Sequence, residues 1–338
     1  MGLQIGDLVP RKEIVFSELK GKIIAVDAFN ALYQFLSSIR QPDGIPLMDS
    51  QGRITSHLSG LFYRNVALLS EGIKLVYVFD GEYHALKGKT QEGRETVRES
   101  MREKYDEARD EGDVAGMGKY SRGFMKLNEE MIRESKELAE AMGIGVVQAP
   151  GEGEFQAAAL VRAGEAYAVA SQDYDALVLG ARMIQNLTLA RKRKLGNGSF
   201  VYISPEVIDY EKTLTELDID GDQFICLAIL VGSDFNHGGV KGIGPKKALA
   251  LVKTKKYPVA IFEEVQEKYG NLGFEWKDIF EIFKKPNVIK IEITFPKLNE
   301  GKIREILVER HDFSLERVEK QLEKLKDLRK QAGQKTLF

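Results

Sequence analysis

The chain is almost without cysteine: of 338 residues only Cys226 carries a thiol. No disulfide can close within it and no thiolate zinc site can form, so a reducing intracellular setting is the natural one. The four histidines, His57, His84, His237 and His311, are scattered without metal-ligand spacing. A metal would therefore be held by oxygen, which points to Mg2+ or Mn2+ rather than zinc. No apolar run approaches the roughly 20 residues of a membrane span. The opening MGLQIGDLVPRKE lacks both the apolar core of a signal peptide and the Ser or Thr of a myristoylation signal. Charge of one sign is also lacking: 49 Lys and Arg stand against 51 Asp and Glu, a net charge of −2. That total speaks against a polyanionic partner, but its distribution speaks for one. Residues 240–256 hold six lysines and no acid, and residues 191–194 read Arg-Lys-Arg-Lys. Local fields, not totals, steer a polyanion.

What is present is a soluble, globular composition, 43% apolar and 30% charged, long enough for one large domain or two intertwined ones. Short β-rich runs occur at Lys22–Phe29, Lys74–Asp80, Gly145–Ala149 and Tyr167–Ser171, with a later one at Phe200–Ile203 after the turn Gly196-Asn197-Gly198. They suit strands buried on both faces. Helical patterns over about 55–71, 126–142 and 153–163 separate them, and the alternation implies a doubly wound, mostly parallel α/β sheet. Two segments break it. Residues 82–125 are charged, poor in apolar side chains and too long for an ordinary connection. Residues 221–256 read as two helices around the tight turn Gly242-Ile243-Gly244. The region from about 302 is helical and charged, and residues 331–338 are expected to form a frayed, flexible tail.

The acids fall on this frame in a pattern. Asp27 lies near the end of the first strand and Asp80 ends the second. Glu152 and Glu154 follow the third, and Asp173 and Asp175 follow the fourth. Asp234 comes after a long apolar helix, in VGSDFN. In open α/β sheets ligands bind outside the carboxyl ends of the strands. A single acid there is ordinarily a helix cap or turn residue, and Glu152 alone would simply favour a helix N-terminus. Six carboxylates delivered to one edge by four strands ask for more, because like charges ~4 Å apart repel by several kcal/mol. Divalent cations resolve that conflict, and two Mg2+ about 4 Å apart can activate water and stabilise the leaving oxygen of a phosphodiester. The reading is a metal-dependent nuclease.

The motifs VDAFNALYQFL, YVFDG, APGEGEFQAA, SQDYDALVLG and GSDFNHGGVKGIGPKKAL resemble, in order and over nearly the whole chain, the flap endonucleases of the XPG/FEN family, most closely its archaeal members. The resemblance implies a PIN/FEN-like nuclease core formed by residues 1–220 and 257–330, with a helical arch inserted at 82–125 and a helix-hairpin-helix module for duplex DNA at 221–256. It implies cleavage of 5′ flaps at single-strand/duplex junctions with 5′–3′ exonuclease activity, in replication (Okazaki fragment maturation) and repair, by two-metal-ion catalysis. Asp80, Glu152, Glu154, Asp173 and Asp175 would bind two Mg2+, with Mn2+ able to substitute, and Asp27 and Asp234 would complete the metal cluster. Lys87 and Arg94 fall at the family's catalytic basic positions, where cations would stabilise a phosphorane-like transition state. Arg94, Arg98 and Arg102 form one basic stripe at i, i+4 spacing, which also fits a solvated helix with intrahelical ion pairs. Tyr33 matches a tyrosine that stacks on a base, unless it is plain core packing. Gly242, Gly244, Lys246 and Lys247 match the hairpin that binds duplex phosphate, where the family often places K+; Pro245 suits the first position of a helix. Gln334, Leu337 and Phe338 resemble the start of a motif for the sliding clamp (PCNA), Q-x-x-L-x-x-F-F, weakened or cut short here because the chain stops one residue after Leu337. The expected partners are 5′-flap and nicked DNA and the clamp, with no membrane and no second copy. The compartment would be cytoplasmic and nucleoid-associated if the source is archaeal, nuclear if it is eukaryotic.

Three other readings stay open on the residues. A bubble- or nick-specific nuclease of the same superfamily would share the acids. A non-catalytic DNA-binding clamp adaptor would use the hairpin alone, against which the intact acidic set argues. A Mg2+-dependent phosphohydrolase of small molecules would not need the lysine-rich hairpin.

Overall fold

The structure is a computed structural model that describes residues 3–41, 44–82, 88–189, 192–194 and 200–335. Its centre is a seven-stranded sheet in the order β1-β9-β6-β5-β2-β3-β4. The strands are β1 (Lys12–Glu13), β2 (Ile23–Asp27), β3 (Lys74–Phe79), β4 (Gly145–Gln148), β5 (Ala168–Ala170), β6 (Met183–Gln185) and β9 (Glu206–Ile208), while β7 (Lys192–Lys194) and β8 (Phe200–Tyr202) pair as a separate hairpin. From β4 through β3, β2 and β5 to β6 the pairing is parallel, and β9 and β1 add antiparallel at the edge. The expected doubly wound, mostly parallel sheet is present. The sequence runs anticipated β2, β3, β4, β5 and β8; β1, β6, β7 and β9, each of two or three residues, were too short to show a period.

The helices are α1 (Ala28–Ser38), α2 (Ser56–Ser70), α3 (Gly88–Asp110), α4 (Val114–Phe124), α5 (Glu129–Ala141), α6 (Gly153–Arg162), α7 (Asp175–Val178), α8 (Tyr210–Leu217), α9 (Gly221–Val231), α10 (Pro245–Lys255), α11 (Pro258–Tyr269), α12 (Trp276–Lys284), α13 (Glu300–Arg304) and α14 (Leu315–Lys335). A π-helical turn, Glu305–Glu309, follows α13. Residues 331–335 continue α14, so the tail expected from 331 onward is helical up to Lys335. Among the described residues no helix is long and apolar enough to cross a membrane.

Strand alternation divides the core into two layers. Ala25, Val76, Val78 and Val147 face a layer built from α6, α7 and α9 to α12, where Phe262 stacks on Trp276 with centroids 4.4 Å apart. Ile24, Val26, Leu75, Tyr77 and Phe79 face the other layer, built from α1, α2, α5, the π turn and α14. Because both faces of the strands are covered, their ends are held rigidly.

One buried polar clasp joins distant parts of that second layer. His311, after the π turn, places Nδ1 2.9 Å from Asp49 Oδ2 and Nε2 3.0 Å from Glu134 Oε2. Asp49 belongs to the hairpin closed by the Met48–Ile54 bridge, and Glu134 to α5. Burial pushes the Asp49 carboxyl up, but the bonds from His311 and from the amide and guanidinium of Arg53 outweigh it and hold it at about 2. Arg53 also donates to the carbonyl of Arg310, and Arg310 pairs with Glu137 at 3.1 Å. The adjacent His57 is kept neutral, its pKa pushed down to about 3 by burial and by His311. Replacing His311 by Phe keeps the ring's volume and removes one bond from each of two carboxylates, Asp49 retaining Arg53 and Glu134 retaining Arg310. The expected cost is about 1–3 kcal/mol, as for hydrogen bonds to charged groups lost from a buried site. Urea unfolding of His311→Phe against the parent measures it, and a loss under about 1 kcal/mol would rule the clasp out as a main tie.

Candidate active site

The parallel strands end along one edge, and the order of the sheet makes that edge a crevice. The chain runs outward from β2 to β3 and β4, then returns to β5 on the opposite side of β2. Helices therefore leave β2 and β5 toward opposite faces, which opens the strand ends between them. Asp27 and the 173–175 loop flank this switch point, with Asp80 and the start of α6 beside them.

Backbone amides hold four of the acids, Asp27, Asp80, Glu154 and Asp173, most of them at helix starts. Asp27 is the last residue of β2 and the N-cap of α1, accepting from the Asn30 amide at 3.0 Å. Asp80 follows β3, and its Oδ1 accepts from the Gly153 amide at 2.7 Å, at the first residue of α6. Glu152 is the N-cap residue of that helix, while Glu154, in its first turn, accepts from the Ala176 amide of α7 at 3.1 Å. Asp173 Oδ1 accepts from the amides of Tyr174 at 2.8 Å and Leu3 at 3.1 Å. Asp175 is buried at the start of α7. Asp27 is thus a helix cap and, at the same time, a neighbour of the other strand-end acids.

Electrostatics tie five of the acids, Asp27, Glu154, Asp173, Asp175 and Asp234, into one cluster. Burial pushes the Glu154 carboxyl well above the carboxylate range, and the charges of Asp173, Asp175 and Asp27 push it further, against the single bond from Ala176. Burial and then the charge of Asp234 raise Asp173, against its two amide bonds. Asp234 therefore reaches the strand ends from the loop after α9. Among the described residues no three potential ligands close on a single point, so the cluster is a crowded field of oxygens rather than a finished cage. An all-oxygen, mutually repelling donor set fits hard divalent cations such as Mg2+ or Mn2+.

Around the acids stand residues that motif reading did not single out. A Cβ on Gly153 would lie 2.6 Å from Asp80 Oδ1 and 3.0 Å from the Val78 carbonyl, so the Gly between the two glutamates of GEGE is what lets Asp80 reach the helix start. Lys136 Nζ donates to Gln148 Oε1 at 2.6 Å, and Gln148 Nε2 donates to the Asp80 carbonyl at 2.7 Å. Asn236 Oδ1 accepts from the Ser233 amide at 3.1 Å and from its hydroxyl at 2.9 Å, which shapes the turn carrying Asp234. The Ser and Asn of GSDFN were the legible signal for that turn. The amide of Leu3 and the Lys136–Gln148 pair left none, because each acts across the fold.

The remaining candidates divide. Arg98, on α3, lies with its guanidinium 5.9 Å from the centre of the Tyr33 ring on α1. Tyr33 is half-buried and packs against the second core layer. Arg94 is also on α3; its side chain, like the whole of Lys87, lies outside the described residues. Gly242 has φ +88°, and Gly244 is the N-cap of α10, whose first residue is Pro245. Lys246 and Lys247 are exposed in its first turn, with Lys247 Nζ 3.1 Å from the Gly242 carbonyl. Gln334 is in the last turn of α14 with its side chain undescribed, and Leu337 and Phe338 lie outside the described residues.

Comparison with known proteins places this geometry. The XPG N-terminal domain matches residues 7–101 and the XPG I-region matches residues 143–234. Flap endonuclease 1 of Pyrococcus furiosus is 49% identical over 340 residues, covering 100% of this chain and 98% of that one. Flap endonuclease 1 of Thermococcus onnurineus is 48% identical with the same coverage. Among solved structures, flap endonuclease-1 from Methanococcus jannaschii superposes with a TM-score of 0.74 at 39% identity, covering 97% of this chain and 98% of that one. The catalytic core of Rad2 in complex with DNA substrate shares the fold, with a TM-score of 0.67 at 22% identity over 95% of this chain and 97% of that one.

The raised carboxyls carry a stability consequence. A carboxyl whose folded pKa exceeds its unfolded one costs stability once pH rises above the unfolded value. Without divalent cation, Glu154→Gln and Asp173→Asn should therefore melt about 2–5 °C above the parent at pH 7–8. The gain should vanish below about pH 4, where the parent's carboxyls are protonated in both states. Adding Mg2+ should close the gap by stabilising the parent. Thermal melts across pH, with and without the ion, test this; a variant less stable than the parent at neutral pH would contradict it.

Proposed function

This chain belongs to the flap endonuclease/XPG family, and from that premise we propose that it is a structure-specific 5′ flap endonuclease with 5′–3′ exonuclease activity, dependent on divalent metal, working in replication and repair. The observation that carries the reading is the position of Glu154: a carboxyl at the switch point of the sheet, crowded by Asp27, Asp173 and Asp175. Such a field needs positive charge, and a phosphodiester brings only more negative charge unless metal accompanies it.

Asp80, Glu152, Glu154, Asp173 and Asp175 are the residues to hold two Mg2+, with Asp27 and Asp234 completing the field. When bound, such ions supply an activated water and charge stabilisation at the leaving oxygen. The protein's own residues orient the donors. Gly153 and Ala176 fix one oxygen each of Asp80 and Glu154. The helix pair α3–α4 supplies the arch, with Lys87 and Arg94 as the cations beside the reacting phosphate. Tyr33 offers an aromatic face for a base next to the cleaved bond, worth about 1–3 kcal/mol.

Duplex binding falls to α9 and α10. The turn at Gly242–Gly244 leaves amides at the N-terminus of α10 open to a phosphate, and Lys246 and Lys247 add charge. Potassium at this turn and a sliding clamp at Gln334, Leu337 and Phe338 are the finer expectations. The turn and Asp234 belong to one connection, so grip and chemistry share a backbone segment.

A labelled 5′-flap duplex, a 3′-flap duplex and single-stranded DNA, each incubated with Mg2+ and with EDTA, test the whole reading. Selective cutting of the 5′ flap with Mg2+ is expected, and Asp80→Ala should lose cleavage by at least about 10³-fold while keeping DNA binding. Cleavage that persists in EDTA or in that variant would overturn the site. Separately, Lys246→Ala with Lys247→Ala should weaken duplex binding and flatten its dependence on salt by about one to two ions. Unchanged affinity through a salt series would remove the hairpin from the mechanism.

A further inference from the structure

The contacts between the arch and the core are concentrated on one helix. Just past the C-terminal end of α1, Arg40 donates through Nη1 to the Gly44 carbonyl and to Ser121 Oγ, both at 2.8 Å, and through Nη2 to the Ser121 carbonyl at 3.2 Å. Ser121 lies on α4, is 1% exposed, and its hydroxyl also reaches the Gly44 carbonyl at 3.0 Å. An Arg40–Pro46 bridge closes the turn between them. Gly44, at φ +82°, meets Gly118 of α4 backbone to backbone, and a Cβ on Gly44 would overlap the Gly118 Cα. Nearer the start of the same helix, Tyr33 lies under the guanidinium of Arg98 of α3.

The two arch helices are themselves one body. A Cβ on Gly123 would be 2.7 Å from Met101 Cγ, and one on Gly116 would be 3.0 Å from Ala108 Cβ. Lys126, beyond α4, pairs with Glu95 of α3 at 3.3 Å. A rigid pair pinned to α1 at two points can be displaced only by breaking one of them.

We propose that the Arg40–Gly44–Gly118–Ser121 joint is the positioning device of the arch: it fixes α3 and α4 relative to α1, and so to Asp27, which caps that helix. Arg40 is a positioning residue. It acts through Ser121 and the Gly44 carbonyl on where α3 and α4 stand relative to Asp27. This rests on the reading of α3–α4 as the arch of a 5′ nuclease. A misplacement of the order of 1 Å at a reacting centre costs up to about 100-fold in rate, so a loosened joint acts on the chemical step and not on duplex grip, which lies on α10.

The test uses the full-length protein with spin labels at Lys119→Cys on α4 and Glu71→Cys beyond α2, both exposed positions, Cys226 being buried. Pulsed electron resonance should give a narrow distance distribution in the parent. It should be broadened or displaced by Arg40→Ala, by Gly44→Ala, and less so by the gentler Ser121→Ala. The first two should cut 5′ flaps about tenfold or more slowly in single turnover, with affinity for an unflapped duplex within about twofold of the parent. Distributions unchanged in all three would overturn the joint. Broadening without slower cleavage would overturn its part in the reaction. A parent that fails to cut flaps would sink the functional reading alone, since the distance measurement still decides the joint.

Discussion

Repulsion among carboxylates at one edge of a sheet governs this molecule. Asp27, Glu154, Asp173 and Asp175 share a field strong enough to push Glu154 far from its ordinary ionisation, and Asp234 adds to it at Asp173. Nothing in folding alone rewards that arrangement. It persists because the strands that carry the acids are clamped between two apolar layers, with Val76 and Val78 facing one and Leu75, Tyr77 and Phe79 the other. The core supplies the rigidity, and the site spends part of it.

The same acids help to build the fold that holds them. Asp27 caps α1. Asp80 satisfies the first amide of α6, and Glu154 satisfies an amide of α7. Each of these bonds engages one oxygen of a two-oxygen group. Helix starts are electropositive, and placing several of them behind the cluster offsets part of the repulsion before any cation arrives. A cap and a ligand are therefore not rival descriptions of these residues.

The outlying parts are tied to the elements that carry the acids. The helix capped by Asp27 receives α3 through Tyr33 and, just past its end, α4 through Arg40. The helix that ends before Asp234 leads directly into the Gly242–Gly244 turn. The contacts of α3 and α4, the Gly242–Gly244 turn and the acids thus share backbone segments rather than sitting on separate domains. The buried contact of His311 with Asp49 and Glu134 does the same for the far layer, joining a hairpin near residue 50 to the turn before α14.

Much of this was legible in the residues themselves. Short β-rich runs gave β2 to β5 because a strand buried on both faces must be apolar throughout, and the acids just after those runs could be assigned to one edge from parallel topology alone. The pairs in GEGE and SQDYD stood out because two acids one residue apart have no packing reason to recur. The tertiary structure decided the rest, and each case has the same cause: the partner lies far along the chain. The Leu3 amide on Asp173, the glycine contact between 44 and 118, the chain from Lys136 through Gln148 to Asp80, and His311 between Asp49 and Glu134 leave no local pattern. Even the short strands β6 and β9 exist only because an edge was there to pair with. The sequence by itself determined which chemistry this protein carries, since residue type and local spacing set that. Only the tertiary structure decided how the carboxylates share their charge and what joins α4 to the end of α1, because both depend on distances that the chain closes by folding.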